Sequence, residues 1–362
     1  MIYLSKMKKN YLNSVKSFSS SSYPVRKFKD IFPSGGGGIM LFIVTGLFLL
    51  GFLIAKNESS RLETFKQTKI FMGTVVEIQV QVDDEQKATA AITKAFDEMK
   101  RIDDLFSSCK HESPVWKINH EEYDLTKLPN ELFSLIKFSD SLWRISNGTF
   151  DVSLGNLIEL WNLKSEHPTL PSKEKLNENL AASGWKNVKI KNDNSISLIN
   201  NTKLDFGAVA KGYAVDKVID VLRQSRIPAA LVNVGGEIKG YGRDWIVGIQ
   251  HPRNKNEIMC KIKLNDISVA TSGDYEQFFE ANGQRYHHIL NPKTGMPAEG
   301  CQSVTIICKE NKLADALATA VFVMGKEEGL KLVEKIDNVE AMIVASDGSI
   351  KISKGFNKFL AR

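Results

Sequence analysis

Cysteine is scarce in this chain of 362 residues, and its spacing excludes the common cysteine-rich metal sites. The four cysteines form no Cys-x-x-Cys pair and show no zinc-finger spacing. Disulfide bonds can form if the chain leaves the cytoplasm, but the sequence does not indicate which cysteines would pair. Cys301 and Cys308 are seven residues apart in one expected strand. They should therefore point to opposite faces and not pair with each other.

Acidic residues are nearly absent from the first 38 residues of the chain. Asp30 is the single acid there, against seven basic residues: Lys6, Lys8, Lys9, Lys16, Arg26, Lys27 and Lys29. Much of the formal net charge of +6 belongs to this segment. The charge therefore indicates no nucleic-acid surface on the rest of the chain.

Charge is also absent from residues 39–55, a run of 17 apolar and small residues. That length lies at the short end of the roughly 17–25 residues that span a bilayer as a helix. The basic residues before it place residues 1–38 in the cytoplasm and the larger remainder outside. A cleaved signal peptide is the alternative. The missing Ala-x-Ala site favours an uncleaved signal anchor, and the lack of cysteine between residues 40 and 60 argues against a lipid anchor.

The remainder of the chain predicts one α+β domain. Residues 56–68 are polar and aperiodic, which predicts a linker, so the globular domain is expected over residues 69–362. Many short strand patterns alternate with a few long helices, which favours largely antiparallel sheets with packed helices over a doubly wound parallel sheet. The clearest predicted elements are a strand over 74–82 and helices over 85–106, 132–145, 211–226, 312–324 and 327–336.

Residues 204–213 form a predicted strand-to-helix turn that is rich in small residues. The small residues from Gly207 to Gly212 would let the backbone approach a bulky ligand, and Asp205 and Lys211 place opposite charges at its two ends. The same pattern also fits tight packing with no ligand.

A second candidate site lies on the helix over 312–324. Asp315 and Thr319 are one turn apart, so their oxygens share a helix face. A carboxylate and a hydroxyl are hard ligands that suit Mg²⁺. The alternative is an aspartate that interacts with the helix dipole near the helix start and a threonine bonded to the backbone, and the pair alone favours this alternative.

Eight short motifs occur in a fixed order from about residue 71 to the C-terminus. They are Met72-Gly73-Thr74, Arg101-Ile102-Asp103 with Phe106-Ser107, Gly148-Thr149-Phe150-Asp151, residues 204–213, Asn233-Val234-Gly235-Gly236-Glu237, residues 270–275, residues 288–295 and residues 315–320. With these motifs the chain resembles the ApbE family of flavin transferases, which move FMN from FAD to a threonine of a partner protein. The resemblance implies an ApbE-like, T-fold-like α+β domain, and the apolar run over residues 39–55 predicts the one N-terminal transmembrane helix before it.

The resemblance also implies roles for individual residues. Mg²⁺ would be held by the backbone carbonyl of Ala208 and the side chains of Asp315 and Thr319. His288 matches a histidine important for activity, as a proton acceptor. Strand alternation points its neighbour His287 to the other face, where it would be structural or lie on the surface. The positions matched to flavin contacts are Met72, Cys109, Thr149, Phe150, Asp151, Asp205, Lys211 and the backbone around Ile289.

The implied activity is Mg²⁺-dependent transfer of FMN from FAD to a threonine hydroxyl of an extracytoplasmic or membrane-bound redox protein, with release of AMP. The expected location is the bacterial cytoplasmic membrane, with a single span and the catalytic domain on the outer side. An FAD pyrophosphatase that uses water as its nucleophile is the alternative enzyme. A non-catalytic flavin-binding protein is a further alternative, but it would not need Asp315 and Thr319.

Three positions depart from the family pattern. Cys109 stands where a tyrosine near the flavin is usual, which removes an aromatic ring from that position. Asn291 replaces an aspartate in a turn that either side chain can satisfy. Residues 113–119 match the sequence pattern of the family less closely, so we expect the rim of the site to differ from that of the family.

Overall fold

The computed structural model describes residues 62–191 and 193–361. The predicted basic segment, the predicted apolar span and residues 56–61 of the predicted linker lie outside these residues. Among the described helices, none is both long enough and apolar enough to cross a bilayer.

The described chain alternates short strands with helices of very different length. The helices are α1 Glu85–Phe106, α2 Pro114–Asn119, α3 Asn130–Ile145, α4 Gly155–Trp161, α5 Lys173–Ala182, α6 Ala210–Gln224, α7 Asn311–Met324 and α8 Lys326–Val333. The strands are β1 Glu63–Phe71, β2 Thr74–Val82, β3 Val188–Ile190, β4 Ile196–Leu198, β5 Ala229–Val234, β6 Glu237–Tyr241, β7 Trp245–Gln250, β8 Ile258–Leu264, β9 Ile267–Gly273, β10 Phe278–Ala281, β11 Gln284–His287, β12 Cys301–Cys308, β13 Glu340–Ala345 and β14 Ile350–Ile352.

Within residues 62–361, eight strands form one sheet in the order β1-β2-β5-β6-β9-β12-β13-β14. Its neighbouring strands are antiparallel throughout. Helices α1, α6 and α7 pack together over one face. The β7–β8 hairpin and a short 3₁₀ turn, Phe356–Phe359, cover apolar residues of the other face. This arrangement confirms the predicted α+β fold with antiparallel sheets and packed helices.

The predicted linker ends too late. Strand β1 begins at Glu63 and pairs with β2 along its whole length, so residues 63–68 belong to the domain. The strand lies at the edge of the sheet, where most of its side chains are exposed, and Ile70 is 62% exposed. Because an exposed edge strand buries little apolar surface, its sequence lacks the alternation that identified β2.

Two tight turns meet at one end of the large sheet. Met72 and Gly73 join β1 to β2 with φ angles of 51° and 72°, and Gly235 and Gly236 join β5 to β6 with φ angles of 64° and 110°. The left-handed angles at Met72 and Gly73 match the type I′ turn typical of two-residue hairpins. A Cβ on Gly235 would lie 2.4 Å from the Oγ1 of Thr74, so the two turns touch. This end of the sheet carries Met72, one of the predicted site residues, and Glu237, which binds Lys211.

Candidate active site

The carboxylate of Asp315 is anchored between two helices. Its Oδ2 accepts a hydrogen bond of 2.8 Å from the backbone N–H of Gly212 in the first turn of α6. Asp315 is only 3% exposed. A Cβ on Gly212 would lie 2.4 Å from the carbonyl oxygen of Asn311 and 2.7 Å from the Cβ of Asp315, so only glycine permits this approach of α6 to α7. The glycine predicted to admit a ligand therefore admits the neighbouring helix.

Asp216 fixes the helix that carries Asp315. One turn beyond Gly212, its two carboxylate oxygens accept hydrogen bonds of 3.0 Å each from the backbone N–H groups of Asn311 and Lys312. These donors lie in the first turn of α7, whose own N-cap residue makes no side-chain hydrogen bond. A carboxylate at this end also interacts favourably with the helix dipole. Asp216 of α6 therefore caps the N-terminus of α7 and fixes the position of α7 relative to α6.

Lys211, Glu237 and Asp315 form a buried charged group beside this contact. The Lys211 ammonium donates to Oε1 of Glu237, and Glu237 is 2% exposed. Burial raises the pKa of Glu237, against the opposing effect of the Lys211 charge and with a smaller contribution from the Asp315 carboxylate. Burial also raises the pKa of Asp315. For Lys211, burial alone would lower the pKa, but Glu237 and Asp315 outweigh it and the pKa is raised.

The three predicted metal ligands are compatible with a hard divalent cation. The Gly212 N–H bonds to Asp315, and among the described residues no backbone N–H donates to the carbonyl of Ala208, one turn earlier. Thr319 lies one turn after Asp315, and its hydroxyl is 3.2 Å from that of Ser272 on β9. A free carbonyl, a carboxylate and a hydroxyl are the oxygen donors that Mg²⁺ prefers. The burial that raises the pKa of Asp315 would be offset by such a cation.

A cleft beside this group contains three of the predicted flavin and catalytic residues: Cys109, Asp205 and His288. Its volume is about 200 Å³, which is below the roughly 300–1,000 Å³ usual for small-molecule sites. Its wall is formed partly by Trp161 of α4, whose indole N–H donates to the carbonyl of Gly295 at 2.8 Å.

The two adjacent histidines have different environments. His287 is 5% exposed; its Nε2 is 2.9 Å from the carbonyl of Ala298, and its Nδ1 accepts from the backbone N–H of Ile289. His288 is half-buried and lines the cleft, and its Nδ1 is 3.4 Å from the carbonyl of Gln277. Burial, reinforced by the charges of Lys211 and His287, lowers the pKa of His288 to about 4. The His288 imidazole is therefore neutral near pH 7.

Several predicted flavin residues lie elsewhere in the fold. Phe150 is fully buried in the main core, and the hydroxyl of Thr149 donates to the carbonyl of Ser146. The Asp151 carboxylate accepts from Ser153 and from the backbone N–H of Trp185, and burial raises its pKa. Together with Met72, Lys211 and Ile289, these three residues do not line the cleft. The cleft thus unites only part of the predicted set.

Two of the three departures from the family pattern have clear local roles. The Asn291 side chain accepts from the backbone N–H of Lys293 at 2.9 Å, so an amide closes this turn. Residues 114–119 form α2, and its last residue, Asn119, exchanges two hydrogen bonds with the backbone of Leu204, at 2.8 and 2.7 Å. Asn119 therefore connects α2 directly to the strand-to-helix turn over residues 204–213.

Sequence reasoning missed Ser108 and the role of Glu237. The hydroxyl of Ser108 donates to Oδ2 of Asp205 at 2.7 Å, which orients that carboxylate at the cleft. Glu237 was noted only as part of a motif. The signal that identifies it is alternation: Glu237 and Lys239 occupy the same buried face of β6, where an apolar residue would be usual.

We expect the substitution Cys109→Tyr to tighten FAD binding. Cys109 is exposed and lines the cleft beside Asp205 and His288. An aromatic ring stacked on a flat ligand contributes about 0.5–1.5 kcal/mol beyond area burial, which is a gain of a few-fold to roughly tenfold. Titration of FAD into both proteins, followed by flavin fluorescence, measures the difference. Unchanged affinity in a folded variant would show that this position does not face the ring.

Comparisons with family models, curated proteins and solved structures all find the same family. The model of the ApbE family matches residues 72–343. A curated FAD:protein FMN transferase of Klebsiella pneumoniae is 29% identical over 296 residues, covering 80% of this chain and 92% of that protein. The crystal structure of an ApbE protein from Thermotoga maritima is similar, with a TM-score of 0.76 and 34% identity, covering 83% of this chain and all of that one. A flavin transferase ApbE from Vibrio cholerae gives a TM-score of 0.73 at 27% identity, covering 83% of this chain and all of that one.

Proposed function

This chain belongs to the ApbE family of FAD:protein FMN transferases, and we propose that it transfers FMN from FAD to a threonine hydroxyl of an acceptor protein in a Mg²⁺-dependent reaction. The observation that carries the proposal is the anchoring of Asp315 on Gly212 beside the free carbonyl of Ala208. This arrangement presents hard oxygen ligands next to a lysine, which suits the chemistry of a pyrophosphate.

In the proposed reaction, the threonine Oγ forms a bond to the phosphorus of the FMN half of FAD. The bond from that phosphorus to the AMP oxygen breaks, AMP leaves, and the threonine proton passes to the enzyme. Mg²⁺, when bound by Ala208, Asp315 and Thr319, would supply neutralisation of charge on the phosphoryl oxygens. Lys211 provides a second positive charge at the same place.

His288 is the proposed proton acceptor. It lines the cleft, and its imidazole is neutral because burial and nearby positive charge lower its pKa to about 4. Only the neutral ring can take a proton from the threonine hydroxyl. Asp205, oriented by Ser108 and by the backbone N–H of Gly207, contributes a fixed hydrogen-bond acceptor to the cleft.

We expect the acid limb of kcat/KM for FAD to lie well below the ordinary histidine range. Because the pKa of His288 is lowered to about 4, the neutral base persists as the pH falls from 7 to about 5, and is lost as the pH approaches 4. Initial rates measured across this range in a constant-ionic-strength buffer give the profile. His120→Gln, at an exposed histidine, serves as the control and should leave the profile unchanged. An inflection near pH 6.5 that persists in the control would argue against His288 as the base.

Mass spectrometry of an acceptor domain tests the proposed function directly. The full chain is incubated with FAD, Mg²⁺ and a folded acceptor domain that contains a candidate threonine. Transfer adds one FMN to the domain and releases AMP, and a threonine-to-valine acceptor remains unmodified. Free FMN and AMP without a modified acceptor would instead favour the pyrophosphatase.

The proposed acceptors are extracytoplasmic or membrane-bound redox proteins. The support comes from the sequence, in which basic residues 1–38 precede the uncharged run over 39–55. We propose a single-pass signal anchor in the cytoplasmic membrane of a bacterium, with the domain that begins at Glu63 outside. Protease added to spheroplasts should digest the domain, and its protection would contradict this topology.

A further inference from the structure

Glu237 is almost completely buried and only half satisfied. It begins β6 directly after the Gly235-Gly236 turn, which is closed by a hydrogen bond of 2.9 Å from the N–H of Gly236 to the side chain of Asn233. Its residue exposure is 2%, one carboxylate oxygen accepts from Lys211, and the other has no hydrogen-bond partner among the described residues. A buried carboxylate with one free oxygen is unfavourable for folding. A role beyond stability accounts for its presence.

Glu237 restricts the motion of its hydrogen-bond partner, Lys211. The Lys211 side chain is 28% exposed and lies at the first turn of α6, three residues after Ala208 and one before Gly212. A free lysine has four flexible bonds and samples many positions, which weakens any single contact with a phosphate. Glu237, on the rigid end of the central sheet, restricts the Lys211 ammonium to one position beside Asp315.

We propose that Glu237 is a positioning residue that holds the Lys211 ammonium in place for the phosphoryl group of the substrate. Glu237 touches no substrate in this scheme, since its side chain is 2% exposed whereas that of Lys211 is 28% exposed. The inference rests on the proposed transfer reaction, and it extends that reaction by assigning a function to the glutamate of the Asn233–Glu237 motif.

The neighbouring ion pair provides a matched control. Two residues along β6, Lys239 bonds to Asp216 of α6 at 2.7 Å, and their side chains are 9% and 18% exposed. This pair joins the same strand to the same helix with a lysine and a carboxylate. Its carboxylate caps α7 through the backbone N–H groups of Asn311 and Lys312. Loss of the Lys239 charge should therefore affect stability without changing the position of Lys211.

The first test is a double-mutant cycle in the full chain with Glu237→Gln and Lys211→Met. We expect Glu237→Gln to lower kcat about tenfold and to change KM for FAD less than threefold. The reason is that the variant weakens a contact that Lys211 makes with the phosphoryl group in the transition state. In the Lys211→Met background, Glu237→Gln should cause no further loss. Lys239→Met should lower the Tm but keep kcat within about twofold of the wild type. An unchanged kcat in Glu237→Gln, or equal losses in both backgrounds, would overturn the inference.

A second measurement does not depend on transfer activity. Acetic anhydride at pH 8 acetylates free lysine amines, and peptide mass spectrometry follows Lys211 separately from the exposed Lys94. We expect Lys211 to react at least threefold faster in Glu237→Gln than in the wild type or in Lys239→Met, with Lys94 unchanged. Equal rates would contradict the inference even if transfer occurs. A wild type that protects Lys211 but transfers no FMN would instead contradict the proposed function.

Should Glu237→Gln fail to fold, Glu237→Asp provides the same test. Aspartate retains the charge but is one methylene shorter, so it cannot reach Lys211 from the same backbone position. We expect the same loss in kcat and the same faster acetylation of Lys211. Wild-type values for both quantities would overturn the inference.

Discussion

Replacing Asp315 with asparagine should lower FMN transfer at least 10³-fold while leaving the fold intact. Asparagine has the same size, and its side-chain oxygen still accepts the hydrogen bond of 2.8 Å from Gly212. The variant loses only the charge that would hold a divalent cation at the phosphoryl group, and removal of such electrostatic stabilisation typically costs several powers of ten in rate. Turnover at limiting Mg²⁺, with acceptor mass as the readout, measures the effect.

The matched control is Asp220→Asn, the same change at an exposed position of α6. Both variants should melt close to the wild type without metal. Added Mg²⁺ should raise the Tm of the wild type and of Asp220→Asn, because a ligand that binds only the folded state stabilises it, but not that of Asp315→Asn. Near-normal turnover of Asp315→Asn at limiting Mg²⁺ would disprove the metal assignment.

Introducing a methyl group at Gly212 should separate the two helices of the site and damage both stability and activity. The added Cβ would lie 2.4 Å from the carbonyl oxygen of Asn311 and 2.7 Å from the Cβ of Asp315, and neither atom is at the end of a flexible side chain. Overpacking of this kind costs about 1–3 kcal/mol in the free energy of unfolding. A shift of Asp315 by about 1 Å can reduce the rate roughly 100-fold.

Denaturant unfolding and steady-state transfer measure the two effects of Gly212→Ala separately. Asp220→Ala, two turns along α6 on the exposed side, controls for the insertion of alanine into this helix and should change neither quantity appreciably. If Gly212→Ala is as stable and as active as the wild type, the close contact between α6 and α7 is not needed to place Asp315.

The sequence predicted the elements whose burial pattern is regular. Strand β2 alternates strictly between buried and partly exposed residues, and α1 presents a continuous buried stripe after an Asp84 cap that accepts from the N–H of Lys87. Both were predicted with their observed bounds. Strand β1 was missed because its edge position removes that pattern, and residues 63–68 were assigned to a linker.

The candidate site was predictable as a set of residues but not as an arrangement. The one-turn spacing with Thr319 and the family resemblance both identified Asp315, whose partner is the backbone of Gly212, 103 positions away in the sequence. It also matched Phe150 to the flavin, although that ring is fully buried in the core. A motif match identifies a residue. The exposure of that residue depends on tertiary packing, which a local sequence pattern does not determine.

The wide separation of the site contacts in the sequence also affects how the protein forms. The pairs Asn119–Leu204, Ser108–Asp205, Gly212–Asp315 and Trp161–Gly295 are separated by 85, 97, 103 and 134 residues. Each closes a long loop, and contacts of this kind slow folding because chain entropy is lost before they form. The β1–β2 hairpin closes through a two-residue turn, so its own pairing is local, whereas β2 also pairs with β5 and α1 packs on α6. We therefore expect the cleft, which depends on these four distant pairs, to form late in folding.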